Sequence, residues 1–184
     1  MTLDQWGPNL WYLLHSISYF YPQEPTEKDR YYTSKFFNFC VPNMILCSYC
    51  KSHYIDYINI TPVNLINRNY LINWVIDLHN DINKRNNKKI YNKKEVNLIY
   101  ENQPFNHNKF YLLLIKYTHN ELTNKEFFYK YIEILKNITY VLPCYKCRNY
   151  LIFNLKNTDL NRSYLFINSK LGNNLIGKKT CFSI

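Results

Sequence analysis

Apolar residues recur along this chain at intervals of three and four, and no segment shows convincing alternation with a period of two. In "PNLWYLLHSISYFY" the apolar and aromatic positions Leu10, Trp11, Leu13, Leu14, Ile17 and Tyr21 fall on one helical stripe. A second stripe, Leu71, Trp74, Val75 and Leu78, lies in "TPVNLINRNYLINWVIDLHNDINK" after a break at Pro62. The pattern predicts an all-α fold. Asp4 is placed to cap the first helix, with Pro8 in its first turn. Thr26 followed by Asp29 predicts a capped start for a second helix. That helix should run through Phe36, Phe37 and Cys40 and stop before Pro42, because proline disrupts a helix interior. A further helix should carry Cys47 to Ile58, and the stretch from Glu95 to Asn108 reads as a linker.

The chain of 184 residues suffices for one generous domain or two small ones. With 47% apolar residues a packed core is feasible. There is no alanine and there are only three glycines, while Asn, Lys, Ile and Tyr are over-used, a bias that fits an AT-rich genome. The net charge of +10 would suit a nucleic-acid or membrane surface. The basic residues are scattered, however, except in "NKRNNKKIYNKK" from Asn83, where a solvated helix face is the plainer reading. Apolar runs such as "FYLLLI" from Phe110 are far shorter than the roughly 20 residues that cross a bilayer. No secretory signal is visible in the polar start. Six cysteines without such a signal point to catalysis or metal binding rather than a secreted disulfide scaffold.

Three stretches recur in the same order at nearly constant separation. "NLWYLLHSISY" from Asn9 resembles "NKFYLLLIKYT" from Asn108; "MILCSYC" from Met44 resembles "YVLPCYKC" from Tyr140; "NRNYLI" from Asn67 resembles "NRSYLF" from Asn161. The order argues for a duplicated helical unit, against chance similarity in a biased composition.

The chemistry-bearing residues form three groups. Gly7, Trp11 and His15 are four apart and share one helix face. They could offer a close backbone approach, a flat ring and a polar ring to a ligand, or simply fill a core. His79, Asn80, Asn83 and Lys84 form a polar face beside the second apolar stripe. Buried amides and imidazoles need hydrogen-bond partners, which a planar heterocycle would supply; an ordinary solvated face is the alternative. Arg85, Lys88 and Lys89 follow closely enough to neutralise phosphates. The pairs Cys47-x-x-Cys50 and Cys144-x-x-Cys147 admit a redox disulfide, a four-thiolate zinc site or reduced core fillers.

In sequence order, "WGPNLWYLLH", "LCSYCKSHY" and "WVIDLHNDINKRNNKKIY" resemble the motifs of the Erv/ALR family of FAD-linked sulfhydryl oxidases. The family pattern is Trp-Gly-x-x-x-Trp-x-x-x-His, then Cys-x-x-Cys, then a His-Asn-x-Val-Asn helix and a Gly-Lys-Pro-like turn. The resemblance covers Trp6 to about Tyr91. It implies a bundle of four helices plus a short fifth at 1–96, followed by a degenerate Erv-like helical repeat at 105–184. It implies FAD as cofactor, contacted by Gly7, Trp11, His15, His79, Asn80 and Asn83, with Lys84 and Lys88 near its phosphates or adenosine and Tyr91 at the family's aromatic position after the turn. Ile82 replaces the family's valine, Asn87-Lys88-Lys89 stands for Gly-Lys-Pro, and Leu46 precedes the first cysteine. Ile76 and Asn92 fall near the positions of a structural disulfide found in many relatives, so that staple is expected to be absent.

The implied chemistry is thiol oxidation. A substrate dithiol attacks Cys47 of the oxidised pair, a second thiol resolves the mixed disulfide, and Cys50 passes electrons to FAD and on to O2, giving H2O2. An ordinary thiol has a pKa of about 8.5, so the helix N-terminus and the flavin are expected to favour the Cys50 anion. In the second repeat Phe110 stands for Trp11 and Leu114 for His15. Gly172 or Asn173 replaces His79, and Ile176 falls opposite Asn83. That unit is therefore expected not to hold FAD, and to cover the apolar face that a lone domain would give a dimer partner. Cys144-Cys147 is then a structural disulfide or a shuttle; Cys40 and Cys181 have no assigned role. The expected partners are a protein or thioredoxin-like dithiol, molecular oxygen and, as an open alternative, a second copy, with no specific nucleic acid and no membrane span. The expected location is host cytoplasm and virion for a virus-encoded protein, otherwise the mitochondrial intermembrane space. The competing reading is a zinc-stapled basic helical module that binds nucleic acid.

Overall fold

The computed structural model describes residues 3–101, 103–106, 109–110 and 125–156. The described regular structure is helical throughout. Helix α1 (Leu3–Phe20) buries Leu10, Leu13, Leu14 and Ile17, and packs on α5 (Arg68–Arg85), which buries Leu71, Trp74, Val75 and Leu78. These are the two stripes expected from the periodicity. Burial of these two apolar stripes against each other is the main attraction between the helices.

Helix α2 (Glu27–Lys35) begins with a complete capping box. The Asp29 amide donates to Thr26 Oγ1 at 3.2 Å, and the Thr26 amide donates to Asp29 Oδ2 at 2.9 Å. Helical structure does not stop before Pro42, as expected, but continues through a π-helical turn, Phe36–Cys40, into the short α3 (Val41–Met44). The Val41 amide reaches back five residues to Phe36 O. The widened turn lets the chain pass Pro42, which lies at the start of α3 where a missing N–H leaves little unpaired. Helix α4 (Ser48–Ile60) follows, with Cys47 as its N-cap residue.

Two further expectations at element ends are corrected. Asp4 lies inside α1 rather than capping it, and Pro8 sits past the first turn, at the cost of one internal hydrogen bond. The start of the supposed linker is α6 (Lys93–Tyr100), capped by Asn92 and Glu95 in a second capping box. Its Val96 packs with Ile72 and Ile76 of α5 in a small separate cluster. Thus Ile76, near one end of the family's disulfide, fastens α6 by apolar packing instead.

In the second half α7 (Lys125–Val141) lies against α2 and the π turn, and packs with α8 (Tyr145–Lys156). Tyr131, Ile134, Leu135 and Ile138 of α7 belong to the same core cluster as Phe36, Phe37 and Cys40. Tyr32 stacks on Tyr140 at 3.7 Å, and Lys35 pairs with Glu133 across the junction. Cys40 is fully buried and touches Asn137 Oδ1 at 3.4 Å; burial pushes its thiol up to about 12, which suits a core filler. The "NRSYLF" and "KLGNN" segments, Leu114, Gly172, Asn173, Ile176 and Cys181 lie outside the described residues. Among the described residues no helix is long and apolar enough to cross a membrane.

Candidate functional site

A cavity of about 670 Å³ opens between α1, the start of α4, α5, the turn after it and α6. Of the residues expected at the first cysteine pair and around the cofactor, all line it except Lys84: Gly7, Trp11 and His15 from α1, Cys47 and Cys50 from the head of α4, His79, Asn80 and Asn83 from α5, and Lys88 and Tyr91 from the turn. Lys84 is exposed and does not line the cavity. Its neighbours Arg85 and Asn86 line the cavity instead.

One wall is aromatic. The indole of Trp11 stacks on the His79 imidazole with ring centres 3.9 Å apart and planes 7° from parallel. His79 Nδ1 lies 3.0 Å from His15 Nε2, and Tyr100 stacks on the other side of His15 at 4.7 Å. The pair shares one hydrogen, so at least one ring must be the donor tautomer at this contact. Burial, then the neighbouring His79, pushes His15 down to about 3. Burial, then the Lys88 charge, pushes His79 down to about 4. Both rings are therefore neutral at physiological pH. His15 Nδ1 is buried and has no protein hydrogen-bond partner. A Cβ added at Gly7 would meet nothing within 4 Å, so the cavity is open there.

The two asparagines also brace the turn that follows α5. Asn80 Nδ2 donates to Tyr91 O at 2.8 Å, and Asn80 Oδ1 accepts from the Tyr91 amide at 3.0 Å. Asn83 Nδ2 donates to Lys89 O at 3.0 Å. Much of their hydrogen-bonding capacity holds the turn from Asn86 to Tyr91 against α5. At the apex Asn87 adopts φ 51°, the left-handed conformation that glycine would take without strain and asparagine tolerates. The Asn-Lys-Lys sequence thus makes a tight turn where the family pattern has Gly-Lys-Pro.

The same cavity is also lined by sulfur. Cys47 and Cys50 are both free thiols here. As the N-cap residue of α4, Cys47 accepts a hydrogen bond at Sγ from the Cys50 amide at 3.2 Å. Burial, then the hydrogen bond to Cys47, pushes the Cys50 thiol up to about 11. That direction belongs to the protein alone, whereas the expected favouring of the Cys50 anion also involves the flavin. The terminal amide serves Cys47, and Cys50 lies one turn in, where desolvation dominates. One turn beyond Cys50, His53 lines the same cavity with Tyr49, the two rings 4.0 Å apart. The i, i+3 spacing from Cys50 could have revealed His53. Nothing local marks Tyr100, which comes from the segment read as linker.

Cys144 and Cys147 repeat the local geometry, the Cys147 amide donating to Cys144 Sγ at 3.4 Å at the head of α8. Neither lines the cavity, and Cys147 is fully buried. Among the described residues no group of three or more His, Cys, Asp or Glu side chains could hold a metal ion.

The sequence model of the Erv1/Alr family matches residues 8–101, the segment that supplies most of this cavity's lining. The chain belongs to the Erv1/Alr family. A protein of Acanthamoeba polyphaga mimivirus named "Probable FAD-linked sulfhydryl oxidase" is 38% identical over 95 residues, which are 49% of this chain and 64% of that one. The FAD-linked sulfhydryl oxidase of an African swine fever virus isolate from a Kenyan pig is 34% identical over 97 residues, covering 52% of this chain and 80% of its own length. The crystal structure of the FAD-binding domain of Erv1 from Saccharomyces cerevisiae superposes with a TM-score of 0.51 at 25% identity, over 55% of this chain and 95% of that one. This chain thus shares the Erv1 helical core, with α7 and α8 lying beyond the segment matched to the family.

Proposed function

We propose that this protein is a virus-encoded FAD-dependent thiol oxidase. The observation that carries the reading is that a Cys-x-x-Cys dithiol and an aromatic–imidazole wall face one cavity. The residues present suit FAD. Trp11, His15, His79 and Tyr100 supply flat surfaces for ring systems. The orphaned His15 Nδ1 supplies a polar contact, the open space at Gly7 admits close approach, and Lys88 faces the cavity as a cation. Arg85 and Lys89, beside it, are already paired with Asp81 at 2.9 Å and Glu95 at 2.7 Å.

In the reaction Cys47 and Cys50 start as a disulfide. A substrate thiolate attacks Cys47 Sγ, breaking the Cys47–Cys50 bond and releasing Cys50 as the thiolate. A second substrate thiol then attacks the mixed disulfide, leaving the substrate oxidised by two electrons and both cysteines reduced. Trp11, His15, His79 and Lys88 would hold FAD, which would supply the acceptor for those two electrons and a route for them to O2. Cys50 is the cysteine that communicates with the cofactor; Cys47, at the helix start, is the one that meets substrate. The neutral imidazoles and the asparagine-braced turn hold the cavity's shape. The substrate class is a protein or thioredoxin-like dithiol; the viral relatives support a viral origin, for which the setting is host cytoplasm and virion, the alternative being the mitochondrial intermembrane space.

Residues 105–184 are proposed as a degenerate second copy. Supporting this, a helix, a Cys-x-x-Cys and a following helix recur in order, with both cysteine pairs at helix starts. The burial of Cys147 favours a structural role for the second pair. The deciding experiment is the visible absorbance spectrum of the purified chain before and after dithiothreitol. A flavin band that bleaches under anaerobic thiol and returns with oxygen is expected. A colourless protein carrying stoichiometric zinc and binding nucleic acid with a steep salt dependence would replace this reading with the alternative.

A further inference from the structure

We infer that Lys109, from the segment following α6, is a phosphate-binding residue of the cofactor cavity; this rests on the FAD reading above. Lys109 lies outside residues 8–101, so the family pattern does not predict it. It nevertheless lines the same cavity as Gly7, Trp11 and the cysteines.

Its position is built rather than incidental. After α6 the chain returns over α1 and fastens on Tyr12. Phe105, largely buried, stacks on the Tyr12 ring at 5.9 Å. The Asn106 amide donates to the Tyr12 hydroxyl. Asn106 Oδ1 then accepts from the Lys109 amide at 3.3 Å, tying the two residues into one short turn. The Lys109 ammonium lies 4.8 Å from the centre of the Tyr12 ring, a cation–π contact that keeps the charge beside α1.

Charge then decides what such a lysine would meet. Among the described residues no carboxylate lines the cavity, and its two buried imidazoles are neutral. Four cations line it: Arg85, Lys88, Lys89 and Lys109. Asp81 pairs with Arg85 and Glu95 with Lys89. Lys88 and Lys109 have no carboxylate partner among the described residues. Two uncompensated cations on an aromatic cavity match a ligand with planar rings joined by a doubly charged diphosphate. Lys88 comes from the turn after α5, and Lys109 adds a charge from a separate part of the chain. A phosphate would also take the ammonium's hydrogen bonds, which the tyrosine face does not accept as strongly.

The test uses the full chain with its flavin removed, titrated with FAD and separately with riboflavin, which has the same ring system and no phosphate. Dissociation constants are read from quenching of protein fluorescence. Lys109→Ala should weaken FAD binding roughly tenfold, the scale of one charge-assisted hydrogen bond. Lys109→Glu should weaken it further, and Lys109→Arg should stay near wild type. Riboflavin affinity should be unchanged in all three. Wild-type protein that binds neither ligand would remove the FAD reading itself. Wild-type protein that binds FAD, with Lys109→Ala binding it equally well, would overturn the role of Lys109 alone. So would an equal loss of riboflavin binding, because the effect would not then depend on phosphate.

Discussion

His15 and His79 set the electrostatic character of the cavity. Desolvation first, and the charges of His79 and Lys88 respectively, hold them near 3 and 4 against an ordinary 6.5. Between pH 6.5 and about 4 the unfolded chain therefore carries protons that the folded chain refuses. Proton binding favours the unfolded state in that window, so stability falls as pH falls. The urea midpoint of the flavin-free chain should drop over this range, and the drop should shrink in a His15→Gln, His79→Gln double variant. A midpoint equally pH-dependent in the double variant would assign the effect to other groups. The sulfurs give a separate prediction. Cys50→Ser should keep the flavin colour, because serine retains the shape of that wall, yet lose turnover, because no disulfide can form with Cys47. Oxygen consumption with a dithiol, measured on the coloured variant, checks it; undiminished turnover would remove the dithiol from the chemistry. His79→Ala removes the ring stacked on Trp11, so its flavin content after gel filtration should fall.

At the scale of elements, the turn after α5 depends on one backbone conformation. Asn87 sits at φ 51°, so Asn87→Gly should be neutral or mildly stabilising. Asn87→Ala should cost about 1 kcal/mol, because alanine lacks the short polar side chain by which asparagine tolerates the left-handed region. Thermal unfolding of the two variants would separate them, and equal melting temperatures would mean that the turn relaxes freely. This turn also shows what was legible in the sequence. The His-Asn-x-x-Asn pattern placed His79, Asn80 and Asn83 at the cavity. It could not show that the asparagines spend hydrogen bonds on Tyr91 and Lys89, because that depends on where the chain goes after leaving the helix. The stripes on α1 and α5 were readable because burial imposes a period of 3.6 on any helix that faces a core. Local rules failed where tertiary packing overrode them. Pro42 read as a stop, but a π turn accommodates it. The polar stretch holding α6 read as a linker, although its capping box is as explicit as the one at Thr26 and its single buried residue, Val96, finds a place beside Ile76. Lys84 read as a ligand by proximity to the motif, but its side chain is exposed and does not line the cavity, whereas Arg85 does.

The two halves of the molecule share one hydrophobic cluster in which α7 supplies the cover for α2 and the π turn. Covering by the same chain removes a concentration-dependent step that covering by a second copy would require. It also means that the stability of the cavity-bearing half depends on residues far from it in sequence. Ile138 of α7 is fully buried in the common cluster, as are Phe36 and Phe37. Ile138→Ala should cost about 2–5 kcal/mol through lost burial and the void left behind. All three tryptophans, Trp6, Trp11 and Trp74, lie in the first half, so their fluorescence reports unfolding of that half alone, whereas far-ultraviolet circular dichroism reports helices in both. If the shared cluster makes one cooperative unit, the substitution should lower the urea midpoint equally by the two probes, and the two curves should remain superimposed. If the fluorescence midpoint stayed at its wild-type value while the dichroism midpoint moved, the halves would unfold independently, and α7 would be an appendage rather than part of the structure that shapes the cavity.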